Sequence, residues 1–287
     1  MVVPGFWRSQ LDPERVMNVQ VTHWHKDEQE QREEYLTVEE PFEIRIAGRS
    51  LAVIMRTPGH DFDLAMGFLL TESVIASASE VLAIEGATDA DGLPLANVVN
   101  VTLRKSEQPE ALVPRQATFE RHFTVSASCG LCGKNSIDDL MLALPPLELG
   151  DVRFSAAGIY DLPAKLRAGQ SVFSHTGGLH AAALFAENGE LYLLREDVGR
   201  HNAVDKIIGH GLRHGDFPYD RHLLLVSGRT SFEILQKALL ARIPCVAAIS
   251  APSSLAVELA NQAGITLIGF LRGREMNVYT HAERIVK

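Results

Sequence analysis

The sequence is poor in cysteine, with three in 287 residues. An odd and small number excludes the disulfide framework of a small secreted protein, and it leaves any close thiol pair as reactive or metal-binding in a reducing compartment. Long hydrophobic runs are missing too, and the N-terminus, with Trp7, Arg8 and Asp12 close in, lacks the apolar segment of a signal peptide. A cytoplasmic protein with no membrane contact is expected. There is no excess of basic charge. The net charge of −9 speaks against a nucleic-acid partner held by nonspecific phosphate contacts, although locally basic pockets stay open. No G-x-G-x-x-G follows a strand and no G-x-x-x-x-G-K-[ST] occurs, so neither a standard dinucleotide site nor a P-loop is supported.

What is present is an ordinary globular composition, 46% hydrophobic and 22% charged, enough for one large domain or two moderate ones. The pattern divides into a polar N-terminal arm over 1–35, a smaller α/β domain over 36–124, a connecting segment over 125–147 and a C-terminal domain over 148–287. The arm, rich in Lys26, Asp27, Glu28, Glu30, Arg32, Glu33 and Glu34, reads as a loose tail or a strand with a solvated end, with order starting near Leu36. Phe42, Ile44 and Ile46, then Leu51, Val53 and Met55, alternate with polar residues about Ala47-Gly48, the pattern of a hairpin. Asp61 is placed to cap a helix carrying Leu64 and Phe68, and His60 at that junction has either a capping or a catalytic role. Strand signals follow over 98–103, between turns at 89–92 and 106–109, and Pro145-Pro146 rules out a helix through that point.

The second half repeats one plan. Pro163 is placed to open a helix bearing Leu162 and Leu166, and Asn188-Gly189 is a strong hairpin signal. Strands over 191–195, 223–226 and 245–249 each lead through a Gly/Ser/Asn-rich junction into a helix, and a strand over 266–271 ends at Arg272-Gly273-Arg274. Such alternation predicts parallel strands with helical crossovers, and these sheets bind ligands beyond the carboxyl ends of their strands. Ser, Thr, Asn and Gly at the junctions can be helix caps alone. Arginines at three of them, Arg200, Arg229 and Arg272 with Arg274, favour an anion pocket for a phosphate-bearing ligand. Cys245, inside an apolar strand-like run, reads as a small buried hydrophobe.

The other two cysteines stand together in Ser128-Cys129-Gly130-Leu131-Cys132-Gly133-Lys134. Structural zinc would need two more ligands at set spacing, and a deaminase-type zinc site would need H-x-E before P-C-x-x-C. The chain has His180-Ala181-Ala182 after its C-x-x-C, with alanine where the acid belongs. A thioredoxin-like pair would open a helix in an early βαβ unit, whereas Gly130 and Gly133 make a flexible loop. Flexibility suits a carrier that holds a sulfane sulfur as a persulfide and presents it to two partners. Lys134 either favours the thiolate or is merely solvated.

Five stretches in order, Ser128–Gly133, Thr176-Gly177-Gly178-Leu179-His180-Ala181-Ala182, Glu196-Asp197-Val198-Gly199-Arg200-His201-Asn202, Ser227-Gly228-Arg229-Thr230-Ser231-Phe232-Glu233 and Gly269-Phe270-Leu271-Arg272-Gly273, resemble the formate dehydrogenase accessory sulfurtransferases, the FdhD family. The resemblance covers residue 36 or so to the end.

It implies a sulfurtransferase that takes sulfur from a cysteine desulfurase and passes it to the molybdenum cofactor, bis-molybdopterin guanine dinucleotide, needed by formate dehydrogenase. Cys129 is then the persulfide carrier and Cys132 its support. The resemblance further implies an α/β fold whose C-terminal domain is a cytidine-deaminase-like three-layer unit, and a homodimer that binds the guanine nucleotide part of the cofactor. Free guanine nucleotide should serve as a surrogate ligand. Phe270, Leu271, Arg272, Gly273, Arg274 and Glu275 match the cofactor-binding segment, joined by His180, Arg200, Ser227, Gly228 and Arg229 from the other motifs. A binding chaperone whose C-x-x-C holds a metal or forms a regulatory disulfide is the alternative.

Overall fold

The computed structural model describes residues 12–104, 145–148 and 150–287. Cys129, Cys132, Lys134, the turn at 106–109 and most of the connecting segment lie outside the described residues.

Of the two readings of the N-terminal arm, a loose tail or a strand with a solvated end, the structure has the strand. Strands β1 (Val16–His25) and β2 (Glu28–Thr37) form an antiparallel ribbon, Val16 opposite Thr37 and His25 opposite Glu28. Order therefore starts well before Leu36. The ribbon has almost no apolar face, but cross-strand backbone bonds need none, and β-branched Val19, Val21 and Thr22 favour the extended state. Among the described residues it is anchored at its base: Val16 and Tyr35 pack with Val172, Phe173 and Leu179, and Thr37 Oγ1 donates to Thr176 Oγ1 over 2.8 Å.

Strands β3 (Glu40–Ile46) and β4 (Arg49–Arg56) make the expected hairpin about Ala47-Gly48. With β5 (Val81–Thr88) and β6 (Pro94–Leu103) they form a sheet in the order β4-β3-β6-β5. Its β5–β6 turn is held by the Asp89 carboxylate, which accepts from the backbone N–H of Asp91 and of Leu93, each 2.9 Å. Helix α1 (Asp61–Thr71) follows β4. Asp61 does not cap it. Its two carboxylate oxygens are taken by Arg56 at 3.0 and 2.9 Å, and His60 occupies the cap position in a left-handed conformation, φ 60°, without a side-chain bond.

Beyond Pro145 come β7 (Phe154–Ser155), α2 (Ala156–Gly169), the single turn α3 (Phe173–Thr176), β8 (His180–Ala186) and β9 (Leu191–Asp197). Helix α2 starts earlier than expected. Ser155 Oγ caps it, accepting from Gly158 N–H at 2.9 Å, and Pro163 lies inside the helix. The proline costs one backbone bond, which burial of Ile159, Leu162 and Leu166 offsets. Then α4 (Arg200–His214), β10 (His222–Val226), α5 (Phe232–Leu240), β11 (Cys245–Ala248), α6 (Ser254–Ala263), β12 (Thr266–Arg272), β13 (Glu275–Thr280) and β14 (Ile285–Val286) complete the chain.

The large sheet has the order β13-β12-β11-β10-β8-β9. Strands β10, β11 and β12 are parallel neighbours, as the strand-helix repeat requires. The sheet as a whole is mixed, with the hairpin expected at Asn188-Gly189 added to the parallel repeat. The tight turn at Asn188-Gly189 lays β8 antiparallel against β9, and β8 also pairs antiparallel with β10, so it sits reversed between two strands of like direction. Alternate residues face opposite layers. Leu224, Val226, Val246 and Ala248 join the core formed with α1, α4, α5, α6 and the N-terminal sheet, while Leu223, Leu225, Cys245 and Ala247 face α2. Cys245 is fully buried, and burial pushes its thiol pKa up, as for the small hydrophobe the sequence indicated. Among the described residues no helix is long and apolar enough to cross a membrane.

Helices α1 and α4 cross at two glycines. A Cβ at Gly67 would lie 1.9 Å from the Asp205 carbonyl oxygen, and one at Gly209 1.7 Å from that of Asp63. Both obstacles are backbone and cannot swing aside. Gly209→Ala is therefore expected to destabilise the fold by about 3 kcal/mol or more, read as a lower urea midpoint at unchanged slope. A midpoint within error of the parent would show that the helices separate freely.

A candidate anion pocket at the carboxyl ends of the strands

Because β8 runs against its neighbours, its first residue, His180, comes to the same edge as the ends of β9 and β10, opposite Asp197. Ser227, just past β10, is locked there: its N–H donates to Ala181 O and its Oγ accepts from Ala181 N–H, both 2.9 Å. Gly228 is next. A Cβ on it would lie 3.2 Å from His180 Nδ1 and 3.9 Å from Arg200 Cδ, so the fold brings His180, Arg200 and Gly228 into one cluster.

The start of α4 is held from behind. Asp197 and Lys206 form an ion pair of 2.7 Å with no exposed side-chain surface. Asp197 also accepts from Gly199 N–H (2.8 Å), Asn202 Nδ2 (2.9 Å) and Thr57 N–H (3.2 Å), and Lys206 Nζ donates to Thr57 O at 2.8 Å. Burial pulls the Lys206 pKa down, and the Asp197 charge opposes it. Glu196 is likewise structural, accepting from the N–H groups of Val172 and Phe173 at 3.1 and 2.8 Å. The acidic pair of the motif thus fixes the junction, and Arg200 and His201 are the residues it presents.

The second junction lies against the first. His201 Nε2 is 3.4 Å from Ser231 Oγ and 3.9 Å from a Glu233 carboxylate oxygen. Burial lowers the His201 pKa to about 4, helped by Lys237 and Arg200, so the ring is neutral at physiological pH. His180 is lowered by burial and then by Arg200. Burial raises the Glu233 pKa, but bonds from the Ser231 hydroxyl and its own backbone N–H outweigh that, leaving it below the usual range. Two buried donors here have no partner among the described residues, Arg200 Nε and Thr230 Oγ1. Arg229 is exposed.

The β12–β13 hairpin carries the remaining expected residues. Phe270 N–H donates to Ser250 O at 3.0 Å, tying the end of β12 to the β11–α6 junction. Phe270 has φ 53°, a left-handed conformation unusual for an aromatic residue, and Gly273 at φ 57° makes the turn. The Arg272 guanidinium lies 5.7 Å from the Phe270 ring centre and that of Arg274 5.8 Å from Tyr160. Arg272 and Glu275 are backbone partners across the turn, and the Leu271 side chain is buried in the core facing α2.

With this geometry in place, comparison with known proteins is decisive about kinship. Residues 37–286 match the FdhD/NarQ family. The chain belongs to that family. The sulfur carrier protein FdhD of Streptomyces coelicolor is 52% identical over 259 residues, covering 88% of this chain and 90% of that protein. That of Sulfolobus acidocaldarius is 44% identical over 253 residues, covering 88% and 92%. A crystal structure assigned as a formate dehydrogenase accessory protein, from Desulfotalea psychrophila, superposes with a TM-score of 0.72 at 24% identity, covering 95% of this chain and all of that one, and shows the shared fold.

In this FdhD/NarQ chain the sequence motifs contained His201, Thr230, Ser231 and Glu233 without marking them as site residues. Their signal was the composition of the two junctions. Another cluster had none: Asp63, His210 and His214 have ligand atoms within 4.8 Å of one another. Arg195 Nη2 stands between them, 3.4 Å from Asp63 Oδ2 and 3.1 Å from His210 Nδ1, and Arg213 takes the other carboxylate oxygen. Two guanidinium cations already occupy the space of a metal, and the cluster is an ion-pair network. His60, its pKa lowered to about 4 by burial and then by Arg195, lines a cleft of about 730 Å³ with Arg56, Asp61 and Asn97. None of the strand-end residues lines that cleft.

Proposed function

We propose that this chain is a sulfur carrier for formate dehydrogenase, which accepts sulfur from a cysteine desulfurase on Cys129 and passes it to the molybdenum cofactor, bis-molybdopterin guanine dinucleotide. The structural observation that supports a bound phosphate-bearing substrate is the pair of buried donors without a partner among the described residues, Arg200 Nε and Thr230 Oγ1, near Gly228, where a Cβ would crowd His180 Nδ1 at 3.2 Å. Phosphate oxygens are acceptors, and a purine can stack on the Phe270 and Arg272 platform. The relatives' name, sulfur carrier protein, supports the sulfur chemistry.

In the loading step the Cys129 thiolate attacks the outer sulfur of the desulfurase persulfide. The desulfurase sulfur–sulfur bond breaks, its cysteine leaves as the thiolate, and Cys129 keeps the persulfide. Cys132 supports the carrier. The order β9-β8-β10-β11-β12, with β8 reversed, supports a cytidine-deaminase-like C-terminal layout, and the protein works as a cytoplasmic homodimer in this reading.

The test is mass spectrometry after incubation with a cysteine desulfurase and free cysteine, without reductant. A gain of about 32 Da, one sulfur atom, on the Cys129 peptide is expected. No adduct from a desulfurase that loads a control acceptor would favour the binding chaperone with a structural or regulatory C-x-x-C.

A further inference from the structure

On the reading of the strand-end pocket as the cofactor's nucleotide site, we infer that the Glu233 carboxylate is a place-holder for a phosphate group of the ligand. Glu233 lies in the first turn of α5, its side chain only 18% exposed. Its carboxylate lies 3.9 Å from His201 Nε2, and although burial raises its pKa, the neighbouring Ser231 hydroxyl and its own backbone N–H hold it below the usual carboxylate range. Ser231 is the N-cap residue, yet its side chain makes no capping bond to the helix. The anion at the start of α5 is thus Glu233 itself.

Its surroundings are built for more than a carboxylate. His201 lies 3.9 Å away, and Arg200 is a nearby cation that favours the charge of Glu233. Arg200 Nε and the fully buried Thr230 Oγ1 have no partner among the described residues. A carboxylate presents two oxygens in one plane, whereas a phosphate presents three or four in a tetrahedron and can satisfy donors the carboxylate leaves unused. The arriving phosphate takes the Ser231 hydroxyl, the first-turn N–H groups and these donors, and Glu233 swings outward. The displaced carboxylate remains close enough to repel the bound phosphate. Glu233 therefore weakens binding of every ligand and discriminates against anions with too little charge to displace it.

Calorimetric titration of the full chain with GDP and with inorganic pyrophosphate tests this, using the parent, Glu233→Gln and Glu233→Ala, each checked by thermal unfolding. Both variants should bind both probes about tenfold more tightly, the effect of removing one neighbouring negative charge at short range. Weaker GDP binding with unchanged pyrophosphate binding would mean that Glu233 reads the guanine edge, and unchanged binding of both would mean that it occupies no phosphate position. Either result overturns the inference while leaving the pocket intact. A parent protein that binds neither probe instead removes the nucleotide-site reading, and the place-holder falls with it.

Discussion

A Cys129→Ala variant is expected to lose all delivery of active formate dehydrogenase while keeping the affinity of the parent for guanine nucleotide. The loss is complete because the carrier sulfur has no substitute: an alanine side chain cannot form a persulfide, and Cys245, the remaining cysteine beyond Cys132, is fully buried with its thiol pKa pushed up by that burial. Binding survives because the groups that contact the nucleotide in this reading, His180, Arg200, Gly228 and the Phe270–Glu275 turn, belong to the strand ends and the start of α4 and not to the segment that carries Cys129. Formate dehydrogenase activity in cells carrying only the variant, beside calorimetry with GDP, checks both halves. Activity at the parent level would refute Cys129 as carrier. Lost GDP binding would place the cysteine in the floor of the pocket.

The second large effect concerns stability. Lys206→Met should destabilise the protein by about 3–5 kcal/mol, because it leaves the Asp197 carboxylate buried without a counter-charge. Three N–H donors, from Gly199, Asn202 and Thr57, remain on Asp197 but carry no full charge. The damage should spread to the pocket, since the same carboxylate fixes the turn into α4 that presents Arg200. Urea unfolding measures the first consequence and GDP affinity the second. Adding Asp197→Leu to Lys206→Met should restore only part of the loss, because the three N–H groups then lose their acceptor. A single variant as stable as the parent would show that water reaches the pair.

Much of the architecture was legible in the chain. Alternating apolar residues around Ala47-Gly48 marked one hairpin and the Asn188-Gly189 pair between two apolar runs marked the other, since such tight turns leave few other arrangements. The strand-helix repeat from β9 to β12 was legible for a similar reason. Other local rules were overridden. Asp61 had the chemistry of a cap, but Arg56, nearby in space, offered two charge-assisted bonds, which outweigh one bond to a backbone N–H. Pro163 looked like a helix start, and three buried apolar side chains held the helix through it. The ribbon β1–β2 was legible only as one of two readings, because backbone pairing holds it and little of it is buried, so apolar periodicity had little to mark.

The sequence by itself determined the kinship of the chain, the presence of two close cysteines and the residue types offered at each strand-helix junction, because these are properties of order and composition. Only the tertiary structure decided which junctions meet. The reversed strand β8 brings His180 to the ends of β9 and β10, the glycine crossing of α1 and α4 brings Thr57 to Asp197 and Lys206, and neighbouring helix starts bring His201 to Glu233. Those meetings depend on pairing between residues far apart in the chain, and no local spacing specifies them.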